Sequence, residues 1–404
     1  MPACALIGVI VVFTGEHAEA TPLAGQRPLA GIRIAMLNFR EPEQTTAGGA
    51  EEYAWQLSRY LLTQGALVTF VTGRQRGQAR AEVRDSIALR RMGNPYLIYL
   101  LVPLWLLWHR RRFDAVIDTM NGIPFFSPFV LPRRTTVISL VHHVHNRQFY
   151  AFLPRWLARL GCFIEGPVAR LVYRGCTTVT VSESSRAELV AGLRWLAPVV
   201  VVHNGCRAPV SAAPAEDAGD PAIVFAGRLV AHKRIDRVVD LAAELGEAWP
   251  ELRVHVIGRG PERGPLQDRV RAAGLSGRVT LHGYLPEAGK VALLGAATLN
   301  VTASEFEGWG QTVIEAAALG VPTVAYDVCG LRDSIRHGVT GWLVQDGECL
   351  ADVVERAVKE LADPVRRAQV AAACREWAQR FTWAGTGASM TGLIVAKLQD
   401  RGGA

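Results

Sequence analysis

Two carboxylates flank a short glycine-containing loop in the second half of the chain. Glu307 precedes Gly308, Trp309 and Gly310, and Glu315 follows them. A helix that begins near the second glycine would leave the loop amides without helical hydrogen-bond partners, so they could point at an anion. The two carboxylates could accept hydrogen bonds from vicinal hydroxyl groups, which occur in sugars and in ribose. Each glutamate taken alone would also suit an ordinary helix start.

Two cations lie in a loop earlier in the same half. Arg228 and Lys233 are five positions apart in the segment FAGRLVAHKR, between a predicted strand and a predicted helix. Two fixed cations at a helix entrance suit a diphosphate, with bidentate contacts from the arginine and a point charge from the lysine. Two solvated surface cations are the alternative. Together with the two carboxylates, Arg228 and Lys233 predict a nucleotide sugar as the ligand.

Two further segments could take part in binding. Gly48 and Gly49 follow the first predicted strand, where their backbone N–H groups could approach a phosphate or sugar. A flexible turn is the alternative. His142, His143 and His145 follow another strand, but their spacing is not that of a zinc site. We therefore predict no metal here, and expect a neutral histidine that hydrogen-bonds a sugar hydroxyl or a main-chain carbonyl.

The segment GRGPERG, residues 258–264, could be mistaken for a dinucleotide fingerprint. Its glycine spacing differs from that motif, Pro261 occupies the turn, and no clear acid follows about 20 residues later. This argues against a nicotinamide or flavin cofactor. No Asp-x-Asp pair that could hold a metal ion is present. We expect no cofactor, with the nucleotide sugar as co-substrate.

The elements that must position these residues alternate between short apolar strands and helices. Alternation of this kind predicts parallel, doubly wound α/β sheets. The predicted strands are 32–37, 67–72, 115–118, 135–141, 177–181, 222–225, 253–257, 279–281, 299–302 and 322–325. An Ala- and Pro-rich linker, 208–221, separates two such domains. Because ligands bind beyond the carboxyl ends of the strands, all the segments above should meet in one cleft.

Composition limits the partners and the compartment. The 404 residues are enough for two domains, and residues 1–200 carry 22 basic but only 13 acidic groups. This half could attract phosphates or an anionic membrane, whereas no motif for nucleic-acid binding is present. Seven cysteines without a Cys-x-x-Cys pair predict a reduced cytoplasmic protein. The apolar run Tyr96–Trp108 is too short to span a bilayer, so we expect a core helix or, because Arg110–Arg112 follows, a membrane-facing patch.

Five segments in order resemble the retaining glycosyltransferases of family 4, which have the GT-B fold of two Rossmann-like domains facing across a cleft. They are VVVVHNGCR, FAGRLVAHKRID, VHVIGRGPE, the Glu-x₇-Glu region 304–344, and RFTWAGT. Residues 329–333, CGLRD, depart from the family's Gly-Gly-x-x-Glu pattern. Residues 1–30, with a short apolar segment but no basic region before it, are interpreted as a loose extension or a mis-assigned start and not as a signal peptide. The resemblance implies an acceptor domain at 31–205, completed by a last helix at about 383–404, and a nucleotide-sugar domain at 206–382.

The resemblance also implies roles for the residues. Arg228 and Lys233 would hold the donor diphosphate, Glu307 the transferred sugar and Glu315 the ribose. His142 would be the active-site histidine, with His143 as the competing register. The remaining donor contacts would come from Gly48, Gly49, Gly283, Tyr284, Gly308, Trp309 and Gly310. The acceptor side would include Asn121, His143 and His145.

The implied activity is metal-independent transfer of a sugar to an acceptor hydroxyl with retention of anomeric configuration. The acceptor would be a small molecule, a glycan or a lipid-linked compound, in the cytoplasm or at the inner face of the membrane. A nucleotide-sugar epimerase or hydrolase of the same fold is one alternative, and a non-catalytic nucleotide-sugar-binding protein is another.

Overall fold

The first half of the chain forms an eight-stranded sheet. The computed structural model describes residues 27–45, 47–94, 96–207 and 220–402. The strand order is β3-β4-β2-β1-β5-β6-β7-β8, and every neighbouring pair is parallel except β3 with β4. The strands are β1 Arg33–Leu37, β2 Leu67–Gly73, β3 Ala81–Arg84, β4 Ile87–Met92, β5 Ala115–Met120, β6 Thr136–Val141, β7 Thr177–Thr180 and β8 Val199–Val201.

Helices cover both faces of this sheet. Along β1, Ile34 and Met36 join one core cluster, whereas Ala35 and Leu37 join the cluster on the opposite face. This alternation is what a strand buried on both sides requires. The helices are α1 Gly49–Thr63, α2 Ile98–His109, α3 Ser127–Val130, α4 Asn146–Phe152, α5 Arg155–Phe163, α6 Ala169–Val172 and α7 Glu183–Ala187, with π-helical turns at Ile164–Val168 and Glu188–Gly192.

The second half forms a six-stranded, wholly parallel sheet in the order β11-β10-β9-β12-β13-β14. The two sheets give the GT-B architecture that the sequence predicts. The strands are β9 Ala222–Ala226, β10 Arg253–Ile257, β11 Val279–Gly283, β12 Leu299–Thr302, β13 Thr323–Tyr326 and β14 Gly341–Val344. The helices are α8 Ile235–Glu244, α9 Arg263–Ala272, α10 Glu287–Gly295, α11 Gln311–Ala318, α12 Leu331–Ser334, α13 Leu350–Leu361, α14 Pro364–Gln379 and α15 Trp383–Gly402, with a 3₁₀ turn at Ala231–Lys233.

The last helix, α15, packs against α1 of the first sheet. The Trp383 ring meets Tyr53 edge to face, with 6.0 Å between the ring centroids. Further along, α15 contacts α1 through Gly387, where an added Cβ would lie 2.1 Å from the Tyr60 ring. A larger residue at that position would therefore push the two helices apart.

All ten strands predicted from the sequence are present, with ends shifted by a few residues. Strands β3, β4, β8 and β14 are not among the ten: β3, β8 and β14 have only three or four residues, and β4 carries Arg90 and Arg91 in place of an apolar run. Leu29, which the sequence assigned to the extension, is buried in the core of the first sheet. Residues 1–26 of that extension, and the predicted linker up to residue 219, lie outside the described residues.

Helix α2 confirms the core-helix interpretation of the apolar run 96–108 for one of its faces, and the membrane-facing interpretation stays a prediction. Ile98, Val102 and Leu106 are fully buried beneath it, whereas Leu100 and Leu104 face solvent. Among the described helices, none has the length and apolar character needed to cross a bilayer.

Candidate active site

The predicted segments follow strands at the centres of the two sheets. In the first sheet, β2, β4 and β3 lie outside β1, and β6, β7 and β8 lie outside β5 on the other side. In the second sheet, β10 and β11 lie outside β9, and β13 and β14 lie outside β12. Such switch points open a crevice at the carboxyl ends of the strands. The Gly48 loop follows β1, the cation loop follows β9, and the Glu307 loop follows β12.

Lys233 and Glu307 form an ion pair, although 74 positions separate them along the chain. The Nζ of Lys233 donates to Oε1 of Glu307, and the Ser304 hydroxyl donates to the same oxygen at 2.9 Å. Burial alone would raise the pKa of the Glu307 carboxyl, but Lys233 and Ser304 outweigh burial and hold that pKa below its usual range. The site therefore holds an ionised carboxylate beside a cation.

Arg228 extends from the second domain to the glycine loop of the first. A Cβ added to Gly48 would lie 3.3 Å from Nε of Arg228. The Gly48 amide donates to the Glu51 carboxylate at 2.7 Å, which fixes the loop at the start of α1. Burial lowers the pKa of the neighbouring Arg40, and the charge of Arg228 lowers it further. No sequence motif marks Arg40, yet it adds positive charge where the two domains meet.

The loop between Glu307 and α11 lies against the first domain. A Cβ added to Gly308 would stand 2.6 Å from the carbonyl oxygen of His142, so only glycine fits. Gly310 has a φ of +85°, a left-handed conformation that favours glycine. The Trp309 side chain turns away from the cleft and stacks on His203 with 4.6 Å between the ring centroids. The Trp309 side chain therefore has a packing role, and only the backbone remains for the predicted donor contact.

The three histidines have different surroundings. His142 is 5 % exposed and meets Tyr53 edge to face, and its Nε2 has no hydrogen-bond partner among the described residues. Burial lowers the pKa of His142 to about 3. His143 stacks on His145 at 4.0 Å, and its Nδ1 lies 3.6 Å from the position of a Cβ on Gly308. Burial lowers the pKa of His143 as well, against an opposing contribution from Glu307. All three imidazoles are therefore neutral at pH 7.

Beneath the histidines lies a buried carboxyl that the sequence did not reveal. Both oxygens of Glu165 accept from the His145 backbone amide, at 2.8 and 3.0 Å, and Oε1 lies 3.0 Å from the His145 Nδ1. Burial raises the pKa of Glu165 to about 8. Asn121, which the resemblance assigned to the acceptor side, donates to the Asn38 side chain at 3.1 Å, so it lies at the end of β5 near β1.

Glu315 lies on α11 and pairs with a lysine that the sequence also did not reveal. The Lys290 Nζ is 3.1 Å from Oε2 of Glu315 and 3.1 Å from Oε1 of Glu287. Burial raises the pKa of Glu315, against the opposing charge of Lys290. For Lys290, burial lowers the pKa, but the two carboxylates raise it above its usual value. The ammonium therefore remains charged and holds the Glu315 side chain in place.

Two family models match consecutive parts of the chain. The model described as "Glycosyltransferase Family 4" matches residues 47–207, and the one described as "Glycosyl transferases group 1" matches residues 209–377. This chain belongs to glycosyltransferase family 4.

Curated relatives of this glycosyltransferase include two from Streptomyces kanamyceticus. The α-D-kanosaminyltransferase is 26 % identical over 66 % of this chain and 74 % of its own length. The 2-deoxystreptamine glucosyltransferase is 31 % identical over 50 % of this chain and 55 % of its own. The D-inositol 3-phosphate glycosyltransferase of Nocardia farcinica is 34 % identical over 49 % of this chain and 44 % of its own length. The chain thus spans about half the length of the latter two proteins.

Solved structures share the fold of this glycosyltransferase. Sucrose-phosphate synthase from Thermosynechococcus elongatus superposes with a TM-score of 0.75 at 20 % identity, covering 90 % of this chain and 98 % of that one. An Anabaena protein, HepE, in complex with UDP and glucose superposes with a TM-score of 0.70 at 16 % identity, covering 90 % and 100 %.

The loop after β11 of the glycosyltransferase carries Gly283 and Tyr284. Gly283 has a φ of +72°, and the exposed Tyr284 ring lies 4.6 Å from the Arg259 guanidinium. Arg259 belongs to the GRGPERG segment, whose glycine spacing differs from a dinucleotide fingerprint. The first glycine of that segment, Gly258, has a packing role, because its added Cβ would lie 1.8 Å from the carbonyl oxygen of Gly227.

A polar contact also joins the two domains of the glycosyltransferase. The Ser184 amide on α7 donates to the Asp333 carboxylate at 3.1 Å, and the Ser184 hydroxyl donates to the same oxygen. The Gly330 amide donates to that hydroxyl at 2.8 Å. Asp333 stands where the sequence departs from the family pattern, so its interdomain role could not be read from the motif. Within the described part of the chain, no cluster of three metal-ligating side chains occurs.

Proposed function

We propose that this protein transfers a sugar from a nucleoside-diphosphate sugar to an acceptor hydroxyl with retention of anomeric configuration. The observation that carries the proposal is the Lys233–Glu307 pair, which lies beside the loop of His142 and His143 across the domain boundary. A cation and an ionised carboxylate at this point suit a ligand with a diphosphate on one side and sugar hydroxyls on the other.

In this proposal the donor diphosphate contacts Arg228, Lys233 and the amides of residues 308–310. The ammonium of Lys233 exchanges part of its contact with Glu307 for a phosphate oxygen, and Glu307 accepts from the hydroxyls of the transferred sugar. Both cations stabilise the negative charge that develops on the departing diphosphate. No metal ion is needed for that step, and no cofactor takes part.

The chemical step exchanges one bond at the anomeric carbon for another. The bond between that carbon and the phosphate oxygen breaks, while the acceptor oxygen bonds to the same face. The acceptor proton passes to the departing phosphate. Alignment in a cleft closed by both domains provides most of the remaining rate enhancement. Family membership supports retention.

The active-site histidine is assigned by comparing two variants. Motif alignment favours His142, whose neutral Nε2 has no hydrogen-bond partner among the described residues. Contact with Gly308 and the influence of Glu307 favour His143. Replacing the active-site histidine by Ala should reduce kcat much more than replacing the other. Equal small effects from both replacements would remove a histidine from the mechanism.

The curated relatives suggest acceptors to test first. By their names, they act on 2-deoxystreptamine and inositol 3-phosphate. Polyols of this kind could meet the side chains of Asn121 and His145, which we propose line the acceptor side. Glycan and lipid-linked acceptors belong in the same screen. We propose a cytoplasmic location, where nucleotide sugars and reduced cysteines both fit.

The donor is tested by a thermal-shift screen of nucleoside diphosphates and nucleotide sugars, UDP among them because HepE is seen with it. The responding nucleotide sugar is then used to compare Lys233→Ala with Lys359→Ala, an exposed lysine on α13. We expect the first variant to lose about a hundredfold or more in kcat, since one charge-stabilising contact is typically worth that much, and the second to be unchanged. Near-normal turnover of Lys233→Ala would contradict the phosphate assignment.

The same assay separates the alternatives. Donor turnover without acceptor would indicate a hydrolase or an epimerase. Donor binding without turnover for any acceptor would indicate a binding protein. No thermal response to any nucleotide would contradict the proposal as a whole.

A further inference from the structure

Helix α2 exposes an unusually apolar stripe. One face of the helix is buried, but the opposite face is also apolar, and Trp108 and Tyr96 are 90 % and 87 % exposed. A helix that is apolar all round is normally covered on every side. The exposed members of the stripe are Tyr96, Leu97, Leu100, Leu104, Leu107 and Trp108.

A second exposed apolar surface lies on the hairpin formed by α4 and α5. Its exposed members are Tyr150, Phe152, Trp156, Leu160 and Phe163. The hairpin borders the cleft, because the Phe152 ring meets His232, in the loop after β9, edge to face at 6.0 Å. A surface bound to this hairpin would therefore lie next to the candidate active site.

Helix α2 lies in the helical layer on one side of the first sheet, and so does α6, into which the hairpin leads through the π-helical turn. Val102 and Leu106 of α2 share a core cluster with Ala169 and Tyr173, at and just beyond α6. That cluster lies on the face opposite α1. We call the exposed side chains of α2 and of the hairpin together the outer helical face.

The charge of this part of the chain is almost entirely positive. Residues 86–164 contain ten arginines, one of which, Arg91, is buried and paired with Glu41, and only two acids, Asp114 and Asp118. Asp114 is paired with Arg33 at 2.8 Å, and Asp118 is completely buried. Below α2, a surface cavity of about 380 Å³ is lined by Arg110, Arg111, Pro132 and Arg134. Arginine side chains grouped in this way suit phosphate groups.

We propose that the outer helical face docks onto an anionic lipid bilayer. Exposed Trp, Tyr, Phe and Leu side chains beside arginines match the interface of such a bilayer, where aromatic rings sit at headgroup level and cations meet anionic lipids. A second copy of the chain fits less well, because two arginine-rich faces would repel each other. The proposal does not depend on which sugar is transferred, and it would place the cleft beside a lipid-borne acceptor.

The test is binding of the full chain to vesicles of pure phosphatidylcholine and to vesicles that also contain phosphatidylglycerol. We expect binding only to the anionic vesicles, weakened by salt. The double variant Arg110→Gln/Arg111→Gln should bind roughly thirtyfold more weakly, since each arginine near such a surface contributes about 1 kcal/mol. The control Arg271→Gln/Arg356→Gln removes two exposed arginines from the second domain and should bind like the wild type.

A second pair of variants tests the apolar contribution. Leu104→Ser/Trp108→Ser alters only exposed side chains and should weaken binding roughly tenfold or more. Val365→Ser, at a position 65 % exposed on α14, is its control. Absence of binding to anionic vesicles, or equal losses in the test and control variants, would overturn the proposal. So would a dimer that Leu104→Ser/Trp108→Ser converts to a monomer, because that face would then join two copies of this chain.

Discussion

Replacement of Glu315 by Gln changes one charge at the candidate ribose site and little else. The Glu315 side chain is 23 % exposed and contacts Lys290 at 3.1 Å. Glutamine has nearly the same shape, and Lys290 keeps Glu287 as a carboxylate partner at 3.1 Å. The second domain should therefore fold normally in Glu315→Gln.

The expected effect follows from the loss of charge-assisted hydrogen bonds. A hydrogen bond to a charged group is worth about 1.5–3 kcal/mol, and one between neutral groups about 0.5–1.5 kcal/mol. Two ribose hydroxyls that donate to Glu315 would thus lose about 2 kcal/mol together, which is roughly thirtyfold in the Kd of the donor. The ribose is remote from the reacting carbon, so kcat should change by less than about threefold.

The assay is a four-way comparison of nucleoside-diphosphate affinity by calorimetry. Wild type and Glu315→Gln are each titrated with the normal nucleotide and with its 2′-deoxy analogue. If Glu315 binds the ribose, the two changes are not additive, because each removes the same contact. Additive losses would refute the assignment. Glu287→Gln is the control, and an equal loss in that variant would show that Lys290 is the important group.

Three further predictions test the cleft and its histidines. Gly308→Ala places a Cβ 2.6 Å from the His142 carbonyl oxygen, so kcat/KM should fall by up to about a hundredfold. The control Gly264→Ala, whose Cβ meets open space, should keep full activity. Equal activities of the two variants would contradict the importance of this contact. The pKa values of His142 and His145, about 3 and 4, lie below the ordinary 6.5. Below pH 6.5 the unfolded chain therefore binds more protons than the folded chain, and the free energy of unfolding should fall by about 2 kcal/mol per histidine between pH 7 and pH 5. An unchanged denaturation midpoint between these two pH values would contradict this prediction. Asp333→Ala removes the Ser184 contact and should raise the donor KM several-fold; unchanged kinetics would show that this contact does not aid closure.

The sequence by itself determined the elements and the segments that follow them. Largely apolar runs of three to seven residues marked ten strands, and the parallel arrangement followed from the helices between them. Since ligands bind beyond the carboxyl ends of parallel strands, the segments of Lys233 and Glu307 could be assigned to one cleft. Strand β4 was not predicted because Arg91 stands in place of an apolar residue. Arg91 is buried in an ion pair with Glu41, a partner 50 positions away along the chain.

Only the tertiary structure decided which side chains meet. Periodicity shows which face a residue occupies, but it does not show what packs on that face from elsewhere in the chain. Lys290 beside Glu315, Glu165 beneath His145 and Ser184 against Asp333 are all such pairs. Among consecutive histidines the same limit applies. Beyond the end of β6, His142 contacts Tyr53 on α1, whereas the His143 side chain lies beside Gly308. Successive side chains point to opposite faces. The packing of α1 and of the second domain then determines what each histidine contacts.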